Sequence, residues 1–431
     1  MAAPSADTIR TCVEAALPLA ERLFTQLREH TADGPGVSRE PYAAGEQYAH
    51  DLIAAAGRES GLEVATDCAG NLYVTLAGAD RSLPGWITGS HLDSVPMGGN
   101  YDGAAGVIAG LVVLVGLRQA GVQPLRDITV MGVRAEEVSS WFGGSHKGHI
   151  GSRAALGLLD LAELEQAVNV RTGATLAQQM QAAGFPSAVL GSAPPYLRPE
   201  RYHGYLELHI EQGPVLERQG LPVGVVTGIR GSMRARSARC IGAYTHSGAV
   251  PHEYRSDAVL ATVALVGGLD RAWEQVRAEH GDLVFTVGKL YTDEQAHSIT
   301  KVPGEASFSI DLRSQDLATL QAMEARARAL AASIAAERRV RFELGSFDLS
   351  PPAAMDTGLQ ALLAEGSREL GIACGTLPSG AGHDAQDFAH AGFPAGMVFV
   401  RNAHGSHNPD EAMELADFNL GTQVLAWALT R

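Results

Sequence analysis

The chain is short of cysteine: Cys12, Cys68, Cys240 and Cys374 are its four, spread through 431 residues. That spacing excludes a zinc ribbon and a disulfide-dense secreted scaffold, and reads as reduced, structural thiols. Long apolar runs are missing too. No stretch approaches the roughly 18 apolar residues of a membrane span, and the N-terminus lacks the basic region and apolar run of a signal peptide. The expectation is a cytoplasmic protein with no membrane partner. Positive charge is also scarce, 33 Lys and Arg against 48 Asp and Glu, for a formal net charge of −15. Such a surface repels a nucleic-acid backbone, and no basic stripe stands apart from the acidic remainder.

What is present is an ordinary globular balance, 45% hydrophobic and 19% charged, in a chain long enough to need more than one core. Apolar periodicity predicts a first helix over about 8–30, disturbed early by Pro18, and a second over 43–60 capped by Gly61. Short β-rich runs follow at 71–76, 86–89, 127–133, 202–210 and 395–400, with a helix at 106–120. This alternation argues for an α/β sheet with covered faces and chemistry at its strand ends. From about Gln219 the order becomes strand (223–242), helix (255–278), two strands (283–291, 306–313), helix (317–336) and strand (340–344). We read this βαββαβ unit as an insertion at 218–349 in a larger domain of 1–217 and 350–431, with 348–354 as a linker around Pro351 and Pro352.

Four stretches carry candidate chemistry. His91 ends an apolar strand in Gly89-Ser-His-Leu-Asp-Ser-Val95, and Asp102 sits in a glycine-rich loop, Gly98-Gly-Asn-Tyr-Asp-Gly103. Imidazole and carboxylate suit a divalent ion, and Asp93 could orient the His91 ring; alone, the pattern equally describes a structural histidine. Glu136 and Glu137 follow a second strand. One could bind metal while the other serves as a base, or both could be solvated strand-end carboxylates. His209 ends a third strand, in Leu206-Glu-Leu-His-Ile-Glu-Gln-Gly-Pro214, and His407 precedes an Asn-Pro turn. Each histidine alone reads more simply as structural; the four stretches together do not.

With these residues in hand, the sequence resembles the hydantoinase/carbamoylase family of amidohydrolases. The shared motifs include Ala69-Gly-Asn-Leu72, Gly89-Ser-His-Leu-Asp93, Asp102-Gly103, Glu136-Glu137, His209-Ile-Glu-Gln-Gly-Pro214, Asp311-Leu-Arg313, Ser379-Gly-Ala-Gly-His-Asp384 and Ser406-His407. The resemblance implies a metallopeptidase-like α/β catalytic domain, its mixed sheet flanked by helices, with the insertion serving as an α+β lid and dimerisation domain. It implies two divalent ions per subunit (zinc, or manganese, cobalt or nickel) held by His91, Asp102, Glu137, His209 and His407. Asp102 would bridge the ions and Glu136 would be the general base. Gln212 would contact the ureido or amide group, His383 would lie in the substrate pocket, Arg313 would bind the substrate carboxylate, and His246 would meet a developing oxyanion. The implied partners are a small carboxylate-bearing substrate and a second copy of the chain.

The implied reaction is hydrolysis of the ureido C–N bond of an N-carbamoyl-L-amino acid or related ureido acid. The alternatives are an N-acyl-amino acid hydrolase or dipeptidase using the same metals, and a binding protein without catalysis. The sequence departs from the family pattern in several places. His297 stands where an asparagine usually helps hold the substrate carboxylate. His252 follows Pro251 in an altered segment, Val138 replaces a usual glycine, and the run Trp141–His149 brings aromatic and basic character, including His146, close to the site.

Overall fold

The computed structural model describes residues 3–144, 147–192 and 194–431; His146 therefore lies outside the described residues. The chain forms two compact units, one from the start to Thr227 and again from Met355 to Arg431, the other Gly228–Ala354.

In the first unit the mixed sheet runs in the order Val223–Ile229, Ala395–Val400, Tyr202–Ile210, Gly85–His91, Ile128–Val133, Leu72–Leu76 and Glu63–Thr66, with Cys374–Ser379 also pairing to Val223–Ile229. The four strands from Ala395–Val400 to Ile128–Val133 are mutually parallel, whereas Leu72–Leu76 and Glu63–Thr66 join antiparallel. Parallel strands are covered on both faces, which is why Gly85–His91 and Ile128–Val133 are buried along their whole length. The helix Ala104–Gln119 is apolar all round and packs between these strands and the helices Ala6–His30 and Leu415–Leu429. Gly106 permits the close approach, since a Cβ there would lie 2.2 Å from the Leu208 carbonyl oxygen.

Some sequence expectations need correction. Pro18 does not interrupt the first helix, which is continuous over Ala6–His30, because eight buried side chains along its inner face outweigh one lost backbone bond. The expected strand 223–242 is two strands. Val223–Ile229 pairs with Ala395–Val400 in the main sheet, and only Gly231–Ile241 belongs to the insertion. The insertion therefore starts at Gly228 rather than 218 and ends at Ala354 rather than 349. The expected linker holds two short strands, Asp348–Ser350 and Ala353–Ala354, whose extended backbone suits the intervening prolines. Short helices such as Ile150–Ala155, Leu161–Gln166 and Leu176–Ala182 carry too few turns for periodicity to reveal them.

In the second unit, Gly231–Ile241 pairs antiparallel with Glu305–Ser314, and Ala258–Ala278 and Leu317–Arg338 pack on the sheet. Along Glu305–Ser314 every second residue is buried, from Ala306 to Ser314, as a sheet with one covered face requires. Its order of main elements is βαββαβ. Among the described residues no helix is long and apolar enough to cross a membrane.

Candidate metal centre

The parallel strands of the first unit deliver the site at their carboxyl ends. His91 is the last residue of Gly85–His91, Glu136 and Glu137 follow Ile128–Val133, His209 and Gln212 close Tyr202–Ile210, and His407 lies beyond Ala395–Val400. Asp93 ties two of these segments together. Its carboxylate accepts the backbone N–H groups of Glu136 (3.1 Å) and Glu137 (2.9 Å), while its carbonyl oxygen lies 3.1 Å from His91 Nδ1. Its Oδ1 also lies 3.4 Å from His91 Nδ1, so the carboxylate meets the backbone of both glutamates as well as the ring it was expected to orient. Gly103 seals the other side of the ring: at φ +65° a Cβ would come within 2.4 Å of the His91 imidazole.

Asp102 is the hub. Its Oδ1 lies 3.8 Å from His91 Nε2 and 3.3 Å from His209 Nε2, and its Oδ2 lies 3.3 Å from His407 Nε2, which is 2.8 Å from Glu137 Oε1. Among the groups of donor atoms that lie within 4.8 Å of one another, His91–Asp102–His209 and Asp102–Glu137–His407 share Asp102. Metal–ligand bonds of about 2.0–2.2 Å place tetrahedral ligand atoms roughly 3.3–3.6 Å apart, so these side chains fit two divalent ions sharing one carboxylate. Burial would drive the Asp102 carboxyl upward, but the surrounding histidines hold it well below the usual range. Glu411 accepts the N–H groups of Tyr101 and Asp102, and the Ser406 hydroxyl lies 2.9 Å from Asp102 Oδ2.

Gln212 is held at φ +62° by a bond from its N–H to Asn402 Oδ1. Its Nε2 donates to Asp102 at 3.1 Å, which leaves Oε1 buried without a partner. His383 is buried edge-on to His209, its Nε2 2.8 Å from the Ser379 hydroxyl, and burial pushes its imidazole well below the usual value. Left-handed backbone also occurs at Ala135, His149, His404 and His407 in the same loops. Strained conformations of this kind gather where a site over-determines its backbone.

Glu136 is buried, and desolvation drives its carboxyl well above the ordinary range despite His149 and His91 nearby. His149 Nε2 is 3.2 Å from Glu136 Oε1 and its Nδ1 is 2.7 Å from Asp387 Oδ2. Sequence reasoning gave His149 no role beyond basic character near the site and missed Asp387, which only the folded helix Asp384–His390 brings in. Asp384 lay inside a motif already singled out, and that proximity was its available signal.

The remaining candidates lie in the second unit. His246 is exposed and its Nδ1 accepts the N–H groups of Gly248 and Ala249 at 3.1 Å. His297 Nδ1 is 2.7 Å from the Thr292 hydroxyl, and Arg313 donates to Asp311 Oδ2 at 3.0–3.1 Å. His252 sits in an exposed 3-10 turn, His252–Tyr254.

Residues 87–431 match the model of peptidase family M20/M25/M40. The chain belongs to that family. An N-carbamoyl-L-amino acid amidohydrolase of Geobacillus stearothermophilus is 35% identical over 419 residues, 95% of this chain and 98% of that protein. An allantoate amidohydrolase of Escherichia coli K12 is 32% identical over 374 residues, 86% of each chain. The crystal structure of a hydantoinase/carbamoylase family amidase from Burkholderia multivorans matches with a TM-score of 0.85 at 31% identity, over 95% of this chain and 96% of that one. This M20 protein is a hydrolase acting on amides, of the hydantoinase/carbamoylase type that its motifs resemble. Enzymes of the family are typically dinuclear and metal-dependent.

Proposed function

We propose that the protein hydrolyses the ureido C–N bond of an N-carbamoyl-L-amino acid or a related ureido acid, releasing ammonia, carbon dioxide and the amino acid. His91, Asp102, Glu137, His209 and His407 would hold two divalent ions, zinc or else manganese, cobalt or nickel. Bound there, the ions would polarise the scissile carbonyl and lower the pKa of water. Glu136 takes the proton from the attacking water and returns it to the leaving nitrogen. Asp93 keeps Glu136 and Glu137 in register through their backbone N–H groups.

The observation that carries the ureido reading over an acyl one is Gln212. Asp102 accepts its N–H donors, so its buried Oε1 is left as an acceptor in want of a donor. A ureido NH₂ supplies that donor, whereas the carbonyl carbon of a simple N-acyl group carries none. His383, whose imidazole burial holds well below its usual value, would lie in the substrate pocket. On the second unit, the family pattern assigns Arg313 to the substrate carboxylate, His297 to its neighbourhood and His246 to the developing oxyanion. The same unit would serve as lid and as the interface of a homodimer. Four free cysteines favour a cytoplasmic setting.

The test is a panel of N-carbamoyl-L-amino acids, β-ureido acids and allantoate beside N-acetyl amino acids and dipeptides, with metal-reconstituted protein. Ammonia release from the ureido members is expected; turnover of acyl or dipeptide substrates alone would overturn the ureido assignment.

A further inference from the structure

Beyond the metal ligands, the first unit contains a chain of close contacts from Asp387 through His149 to Glu136. Three backbone bonds lay the segment of His149 alongside that of Glu136: His149 N–H to Glu136 O (3.3 Å), Ile150 N–H to Ala135 O (3.1 Å) and Gly151 N–H to Arg134 O (2.9 Å). Gly148 and His149 both take left-handed backbone, φ +80° and +48°, at the turn that carries the ring. Gly382 leaves room on one side, since a Cβ there would come 3.2 Å from His149 Nε2. Asp387, from the separate helix Asp384–His390, takes the opposite ring nitrogen at 2.7 Å, and the Ser152 hydroxyl lies 3.4 Å from the same oxygen. The three side chains are 9–18% exposed.

The His149 ring meets a single oxygen of Glu136, Oε1, through its Nε2 at 3.2 Å. We propose that Asp387 and His149 are a positioning pair for the base: they fix the Glu136 carboxylate by Oε1 and leave Oε2 free to carry the substrate's proton. The pair acts through Glu136 by restricting the rotamers of a base whose efficiency depends on placement.

The proposal rests on the reading of Glu136 as the base, so the test needs readouts independent of turnover. His149→Asn keeps a residue tolerant of left-handed backbone, and Asp387→Asn keeps the side-chain shape. In metal-loaded His149→Asn, kcat should fall roughly 10–100-fold, the range seen for residues that orient a site from behind, with KM within about twofold of wild type. Bound metal should remain as in wild type. The double variant should be no slower than His149→Asn, as expected for one coupled unit. Crystal structures of the metal-loaded variants should place Glu136 in more than one rotamer. An unchanged Glu136 rotamer, a rise in KM with kcat intact, or loss of a bound cation on replacing His149 would each overturn the pair's positioning role. If wild type turned over no ureido or acyl substrate, the functional reading would fall, while the Glu136 rotamers and metal content would still decide this proposal.

Discussion

The two units hold most of their candidate residues differently, with His407, half exposed, the exception in the first. In the first, His91, Asp102, His209 and His383 are buried, and each is tied to residues from other strands or loops. In the second, His246 and His297 are exposed and rest on neighbours two to five residues away. Cross-tied buried groups are preorganised and resist rearrangement, whereas locally tied surface groups can adapt to a ligand. On the proposed reading, bond cleavage would fall to the first unit and recognition of the substrate's acid end to the second.

The largest effect should come from the base. Glu136→Gln keeps size and loses proton transfer, so kcat should drop about 10²–10⁴-fold with metal content unchanged, read by ammonia release beside elemental analysis. Activity within tenfold of wild type would move the base elsewhere. Next comes His246→Ala, expected to lower kcat about 10²-fold by removing an oxyanion donor, with Arg313→Lys raising KM because the planar fork is lost. Wild-type kinetics in both variants would erase the recognition role of the second unit. The smallest effect is on stability. Burial alone would lower the His149 imidazole, but Glu136, Asp387 and Asp384 lift it from its ordinary 6.5 to about 10. The folded state then holds that proton more tightly, so the stabilisation is full below about pH 6.5 and is lost as pH rises towards 10. In metal-free protein the Tm gap between wild type and His149→Asn should narrow over that interval, and a gap that widens with pH would contradict the assignment.

Much of this contrast was legible before folding. The strands Tyr202–Ile210 and Ala395–Val400 stood out as apolar runs at their observed limits, and the metal-binding candidates lay at strand ends where parallel sheets place chemistry. Local signals failed where packing decides. Pro18 sits inside a helix because that helix has a buried face, and residue 230 splits a run that reads as one strand because its first half is claimed by the main sheet. His149 and Asp387 are 238 residues apart, and no spacing rule joins a left-handed turn to the middle of a short helix. Gln212 was legible as a motif residue, but its orphaned Oε1 follows only from the contact of its amide with Asp102.

The central claim is a two-ion ureido hydrolase built on Asp102, and one measurement addresses it directly: ammonia release from an N-carbamoyl-L-amino acid as metal-free protein is titrated with zinc or manganese. The account predicts no activity without metal and a plateau at about two equivalents per chain, abolished in Asp102→Asn. Full activity in the metal-free protein, or a plateau at one equivalent that survives Asp102→Asn, would contradict it.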